Sequence, residues 1–225
     1  MKRYLLISDI HGELDMFEEM LEKVQYNPEE DQLVLVGDYV DRGPNSRGVL
    51  NKVMELKEKG AIVLRGNHDD MLVAAADNEE NAWKRWWKNG ALPTLKSYDE
   101  TIEEQVVPDT EEFKQHVQFI KGLDYYHETD DYIFVHGGVD PENPIAETDP
   151  YVLVWIRDKF HNGYTGDKTV VFGHTTTPNL HDDKENSDVF FGNNNIIGID
   201  GGAVYGGQLN CLELPSKNFT SIKSK

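Results

Sequence analysis

The chain has one cysteine, Cys211, in 225 residues. A lone thiol closes no internal disulfide, and this cysteine usage fits a reducing compartment. Basic residues are scarce too: 22 Lys and Arg stand against 41 Asp and Glu, a net charge of −19. A surface of that sign repels phosphate backbones and anionic lipid, which argues against a nucleic-acid-binding module and against a membrane partner. It does not bar an anionic substrate, because bound cations reverse the local sign at a site. Long apolar runs are missing as well. Nothing approaches the roughly 18 residues that cross a bilayer. The opening Met1-Lys2-Arg3-Tyr4-Leu5-Leu6-Ile7-Ser8-Asp9 has a basic start, but its apolar stretch is too short for a signal peptide and Asp9 interrupts it. The sequence therefore predicts a cytoplasmic protein, read as a monomer.

What is present is an ordinary globular composition, 38% hydrophobic and 28% charged, at a length suited to one domain with an inserted cap. The first seventy residues alternate strand and helix signals. Apolar runs at Tyr4 to Ser8, Leu33 to Val36 and Ala61 to Leu64 predict buried strands. Between them, residues 14 to 24 and 46 to 58 carry apolar side chains at helical spacing. A βαβαβ run implies parallel strands with right-handed crossovers. Residues 77 to 128, rich in Trp and Glu and broken by Pro93 and Pro108, predict a helical cap insertion. Strand signals return at Tyr132 to Val135, Thr169 to Phe172, Ile196 to Ile199 and Gln208 to Leu214. The polar stretch 181 to 195, with Asn193, Asn194 and Asn195 in a row, predicts a mobile loop. Cys211 lies in an apolar strand and is read as core.

Chemistry-bearing residues gather at the ends of those strands, where open α/β sheets build their sites. The first strand runs into Asp9-Ile10-His11-Gly12. The second runs into Gly37-Asp38-Tyr39-Val40-Asp41-Arg42-Gly43, and the third into Gly66-Asn67-His68-Asp69. Later strands end in His136-Gly137-Gly138 and Gly173-His174. In an extended chain residues i and i+2 point the same way, so Asp9 and His11 would reach one ion together. Each piece alone is weak, since a single His at a strand end is more often structural than a ligand. Five such pieces, each following an apolar strand, are hard to explain as packing.

The ordered set resembles the phosphoprotein phosphatase family of metallophosphoesterases, and within it the short bacterial and phage branch related to the symmetrical diadenosine tetraphosphatases. The tail Ile199-Asp200-Gly201-Gly202-Ala203-Val204-Tyr205-Gly206-Gly207-Gln208-Leu209 and the pair Trp87-Lys88-Asn89-Gly90 and Thr94-Leu95-Lys96-Ser97-Tyr98 extend the likeness over nearly the whole chain. The resemblance implies an α/β fold, a four-layer α/β/β/α sandwich. It implies two divalent metal ions, Mn²⁺ first, with Fe, Zn²⁺ or Ni²⁺ as alternatives. Asp9 and His11 would bind the first, Asp38 would bridge, and Asn67, His136 and His174 would bind the second. It further implies His68 as general acid oriented by Asp41, with Arg42 and Arg157 on the substrate phosphate. Arg65 is left open between the site and structure.

Elementary chemistry agrees with these roles. Mixed carboxylate, imidazole and amide ligands suit Mn²⁺, Fe or Zn²⁺ better than Ca²⁺. Paired cations generate hydroxide near neutral pH and stabilise attacking and leaving oxygens. An imidazolium is a suitable donor to a basic leaving oxygen. The expected reaction is hydrolysis of phosphoserine or phosphothreonine by direct attack of a metal-bridging hydroxide. The alternatives are symmetrical cleavage of a dinucleoside tetraphosphate into two ADP, and a broader phosphatase or phosphodiesterase activity. Two positions depart from the commonest family pattern: Ser8 stands where Gly is usual, and Asp69 where protein phosphatases usually have Glu. A non-catalytic scaffold would have lost ligands or the acid, and none is missing. His116, His127, His161 and His181 lie outside the motifs and are read as packing or surface residues. Trp83, Trp86 and Trp87 stand at i, i+3 and i+4, which favours one buried helix face over an aromatic platform for a base or peptide.

Overall fold

The computed structural model describes residues 3–224; Met1 and Lys2, which open the stretch read against a signal peptide, lie outside the described residues. The chain runs β1 (Arg3–Ile7), α1 (Leu14–Lys23), β2 (Asp31–Leu35), α2 (Ser46–Glu58), β3 (Ile62–Val63), then four helices: α3 (Asn67–Ala76), α4 (Ala82–Lys88), α5 (Ala91–Tyr98) and α6 (Glu111–Lys121). It continues through β4 (Tyr126–Glu128), β5 (Tyr132–Val135), α7 (Pro150–Trp155), α8 (Asp158–Gly163), β6 (Thr169–Phe172), α9 (Thr177–Leu180), β7 (Phe190–Phe191), β8 (Ile196–Gly198), β9 (Gln208–Leu214) and β10 (Phe219–Lys223).

The strands form two five-stranded sheets, ordered β10-β9-β1-β2-β3 and β4-β5-β6-β8-β7. In the first, β1 pairs parallel with β2 and β2 with β3, while β9 is antiparallel to β1. In the second, β6 is parallel to both β5 and β8, and β4 and β7 close the edges antiparallel. All six parallel strands therefore aim their carboxyl ends at one edge of the molecule.

Strand periodicity accounts for the layers, since alternate side chains face opposite sides. Leu6, Val34, Phe134, Val171 and Leu212 pack together between the two sheets. Their neighbours Leu5, Ile7, Leu33 and Leu35 turn to the outer face of the first sheet, against Phe17 and Met20 of α1 and Val49, Leu50 and Val53 of α2. Ile133, Val135, Val170 and Phe172 turn to the outer face of the second sheet, against Leu153 of α7 and Phe160 of α8. Each such buried side chain contributes about 1.5–3 kcal/mol relative to exposure. Runs apolar at every position, as in Leu33 to Val36, are what a strand buried on both faces requires. The result is helix, sheet, sheet, helix. Among the described residues no helix is long and apolar enough to cross a membrane.

Helices α3 to α6 share the core of α1 and α2: Trp86, Leu95, Phe113 and Ile120 belong to the same cluster as Phe17 and Leu50. Pro93 does not break a helix. It stands in the first turn of α5, where the backbone N–H has no intrahelical partner to lose. The mobile loop expected over 181 to 195 is corrected by its contacts. It contains β7, and the Gln208 and Asn210 side chains donate to the Ser187 carbonyl at 3.0 and 2.9 Å. Asn194 donates to the carbonyls of His161 and Tyr164, so the polar run is an anchored one.

Candidate active site

Every sequence-predicted site residue follows the carboxyl end of a parallel strand or the start of a helix beside it, with Arg157 arriving from the turn between α7 and α8. The backbone there is strained. Asp9, His11, Asp38, Asp41, Arg42 and His174 all have positive φ, between 45° and 75°. Side chains rarely adopt that conformation, and it persists where surrounding structure over-determines it, as at functional sites. The extended-chain argument for Asp9 and His11 is thereby corrected. Both residues are left-handed, and this turn brings His11 Nε2 to 4.0 Å from Asp9 Oδ1.

Asp38 is the centre. His11 Nε2 lies 3.6 Å and His136 Nε2 3.3 Å from its Oδ2, while its Oδ1 accepts from the His68 backbone N–H at 2.8 Å. The Asn67 Oδ1 is 2.9 Å from His136 Nε2. Two sets of three donor atoms each lie within 4.8 Å of one another: His11, Asp38 and His68, and Asp38, His136 and His174. Asp38 is common to both. Asp9 is fixed from the other side, its Oδ2 accepting from the His174 N–H at 3.0 Å and from the Ser8 hydroxyl. Ser8, the departure from the commonest pattern, thus holds Asp9 and leaves its Oδ1 turned toward His11.

These residues fit divalent cations. His11 Nδ1 donates to the Val40 carbonyl at 2.7 Å and His136 Nδ1 to the Val36 carbonyl at 2.8 Å, which fixes both rings with Nε2 toward Asp38. Burial pushes the His11 imidazole down to about 3, so it is neutral and its Nε2 carries a lone pair. Arg42 Nη1 donates to that lone pair at 2.6 Å, the same lone pair a cation would take. Burial opposes charge on His136 also, but the facing Asp38 and Asp9 carboxylates outweigh it and hold the ring up at about 10. Its Nε2 proton between Asp38 and Asn67 stands in for a cation. Burial holds His174 well below its usual range, and its Nε2 is buried with no hydrogen-bond partner among the described residues.

His68 Nδ1 donates to Asp41 Oδ2 at 2.6 Å, which leaves Nε2 facing the site. Both side chains are buried. Arg42, Arg157 and His68 line one cavity of about 560 Å³ with Asp9, Asp38 and Asn67. Arg157 Nη1 donates to Thr175 Oγ1 at 3.0 Å, and the Arg42 guanidinium lies 5.0 Å from the ring centre of Tyr205, itself well exposed at the cavity. Arg65 is not brought in; it pairs with Asp70 and lies against Tyr125. His116 is buried between Tyr98 and Asn51, His127 stacks on Phe134, His161 packs on Phe172, and His181 meets the Asp188 carbonyl.

The roles of four residues at the site escaped sequence reasoning. Asp69 accepts from the N–H groups of Asp38, Tyr39 and Gly66. Trp86 and Thr94 donate to Asp41. Asp200 follows β8 at the sixth strand end, its carboxyl lifted well above the usual range by burial and by Asp9. The strand-end position of Asp200 was the available signal, and Ile199-Asp200-Gly201-Gly202 repeats the pattern of the other five motifs.

The calcineurin-like phosphoesterase family model matches residues 2–210. Over 98% of this chain and 92% of the relative's length, the sequence is 30% identical to bis(5'-nucleosyl)-tetraphosphatase PrpE, asymmetrical, of Oceanobacillus iheyensis. Over 136 residues, 60% of this chain and 42% of the relative, it is 35% identical to the symmetrical bis(5'-nucleosyl)-tetraphosphatase of Pseudomonas syringae. The fold matches a crystal structure described as a candidate diadenosine tetraphosphatase with a TM-score of 0.72, covering all of this chain and 94% of the other at 23% identity. With a family match along nearly its whole length and the site geometry above, the chain belongs to the calcineurin-like phosphoesterases and is a phosphoesterase hydrolase.

Proposed function

We propose that the enzyme hydrolyses dinucleoside tetraphosphates, with His68 protonating the leaving oxygen and Arg42 and Arg157 holding phosphate. This reverses the order of the two substrate classes that the sequence alone favours. The observation that carries it is the cavity. At about 560 Å³ it is larger than a phosphoserine side chain needs and falls within the range of small-molecule and cofactor pockets, room enough for a nucleotide. Trp155 and Tyr205 line it, offering aromatic surface near the arginines. A relative matched over 92% of its length carries a tetraphosphatase name, which supports the same class.

Asp9, His11, Asp38, Asn67, His136 and His174 would hold two divalent cations, which would supply Lewis acidity and an activated water. The chain's own residues do the rest. The guanidinium groups of Arg42 and Arg157, both lining the cavity, match phosphate oxygens in fork geometry and hold the substrate phosphate there. His68 Nε2 faces the cavity while its other nitrogen is bound to Asp41, so the ring is held in one orientation toward the substrate. His68 gives its proton to the departing oxygen.

The Asp41–His68 pair favours a second reading. A nucleotide leaving oxygen is a weaker base than a serine or threonine alkoxide, so the alkoxide depends more on a proton to depart. Phosphoserine and phosphothreonine esters are therefore the second substrate class. The test strips the protein with a chelator, restores Mn²⁺, and compares diadenosine tetraphosphate with a phosphoserine peptide at equal concentration. Faster turnover of the dinucleotide is expected, and its products distinguish the two cleavage modes: ATP with AMP, or two ADP. Faster phosphate release from the peptide would overturn the first reading in favour of the second.

A further inference from the structure

The Asp41 carboxylate is wholly buried, and it is held by the helical segment that follows the third motif. Trp86 Nε1, on α4, donates to both of its oxygens at 2.9 Å. Thr94 Oγ1, on α5, donates to Oδ1 at 2.8 Å and accepts from the Asp41 backbone N–H at 2.8 Å. Ser46 Oγ accepts from the same N–H at 3.1 Å and lies 3.0 Å from Thr94 Oγ1. Between α4 and α5, the Gly90 carbonyl accepts from the Arg42 N–H at 3.0 Å. The two helices thus grip a residue pair, Asp41 and Arg42, whose backbone is left-handed at both positions.

We propose that Trp86 and Thr94 are positioning residues for proton transfer: they fix the Asp41 carboxylate in one rotamer, and through it the His68 ring. The inference rests on the reading of His68 as general acid. The physical reason is the shape of the donor set. A buried carboxylate with only His68 for a partner could rotate about its last bond and share either oxygen. Trp86 spans both oxygens and Thr94 holds Oδ1, which fixes the plane of the carboxylate with Oδ2 turned to His68 Nδ1. Trp86 is the one fully buried tryptophan of the Trp83, Trp86 and Trp87 group. Its indole N–H is satisfied by the carboxylate rather than by backbone, which sets it apart from simple packing.

The test compares wild type with Thr94→Val, Thr94→Ser, Trp86→Phe and His68→Asn in Mn²⁺. Two esters are used, p-nitrophenyl phosphate, whose leaving group needs little protonation, and phosphoserine, whose leaving group is an alkoxide. Thr94→Val and Trp86→Phe are expected to slow phosphoserine about tenfold or more and to change p-nitrophenyl phosphate by no more than about twofold. Thr94→Ser, which keeps the hydroxyl, restores the phosphoserine rate. A second readout is the downfield imidazole N–H proton resonance of the His68–Asp41 bond, assigned by its loss in His68→Asn. It moves or vanishes in Thr94→Val and Trp86→Phe and returns in Thr94→Ser. Equal slowing of both esters, or an unmoved resonance with unchanged rates, overturns the inference. If His68→Asn itself slows both esters equally, the acid role fails and the inference falls with it. If His68→Asn separates the esters and the other variants do not, the inference alone falls.

Discussion

Asp69 braces Asp38 from behind. Its Oδ2 accepts from the Asp38 N–H at 2.9 Å and from the Gly66 N–H at 2.9 Å, and its Oδ1 accepts from the Tyr39 N–H at 3.1 Å. The first turn of α3 thereby holds β2's outgoing chain in its left-handed conformation, φ 59° at Asp38. Asp69→Ala leaves three buried N–H groups without an acceptor. It is expected to lower the unfolding free energy by about 2–4 kcal/mol and to reduce metal content together with it. Urea unfolding and elemental analysis of the same samples check this. Asp38→Asn makes the contrast: it is expected to unfold much as wild type does but to lose at least one ion per chain. Two retained ions in Asp38→Asn would remove Asp38 from the shared position.

Gly173 is a glycine because Asp9 is beneath it. A Cβ built there would collide with Ser8 Oγ and Asp9 Oδ2. These are rigid, buried atoms, and they cannot yield without moving the Asp9 carboxylate. Gly173→Ala is therefore expected to weaken binding at the His11 side of the centre more than at the His136 side. Titration of chelated protein with Mn²⁺ should show one weakened class of site and one near wild type. Two unaltered classes would refute the steric argument.

The strands and the polar motifs at their ends were legible because both follow from local rules. Thr169 to Phe172 and Gln208 to Leu214 coincide with β6 and β9, and residues 46 to 58 with α2, since each is a run of one periodicity bounded by polar residues. Short edge strands were not legible. β10 buries only Ile222, and β7 is two residues long, so neither carries a pattern that a window can detect. The helix carrying Trp83, Trp86 and Trp87 was read as a buried face, and the structure completes the burial only at Trp86. Periodicity reports which face turns inward. It does not report which polar atom waits there, and the partner of Trp86 is 45 residues back, at Asp41. The bracing role of Asp69 was not legible for a related reason: its bonds go to backbone N–H groups, which any sequence supplies.

Cys211 lies on β9 within the core beneath α1, and burial pushes its thiol up to about 12. Thiolate is the reactive form, so at pH 8 the native protein is expected to be inert to a disulfide reagent such as dithionitrobenzoate. One equivalent should react once the protein is unfolded in guanidinium. The rate of labelling in mild denaturant then follows opening of the first sheet, which makes this thiol a probe of local stability. Rapid labelling in buffer alone would contradict the burial.

His161 tests the pH dependence of stability away from the centre. Its ring packs on Phe160 and Phe172, and burial pushes it down to about 4 from an ordinary 6.5. The unfolded state then binds more protons than the folded one between those values. Stability is full above pH 6.5 and falls as the pH drops toward 4, where the folded ring takes its proton as well. The full shift is tempered by partial solvent contact, leaving about 1–2 kcal/mol of acid-side loss from this residue. His161→Phe removes the titrating group while keeping an aromatic ring against Phe172. It is expected to flatten the unfolding free energy between pH 6.5 and 4 by that amount, with little change at pH 8, measured by urea melts across the range. A parallel slope in wild type and variant would place the acid sensitivity elsewhere.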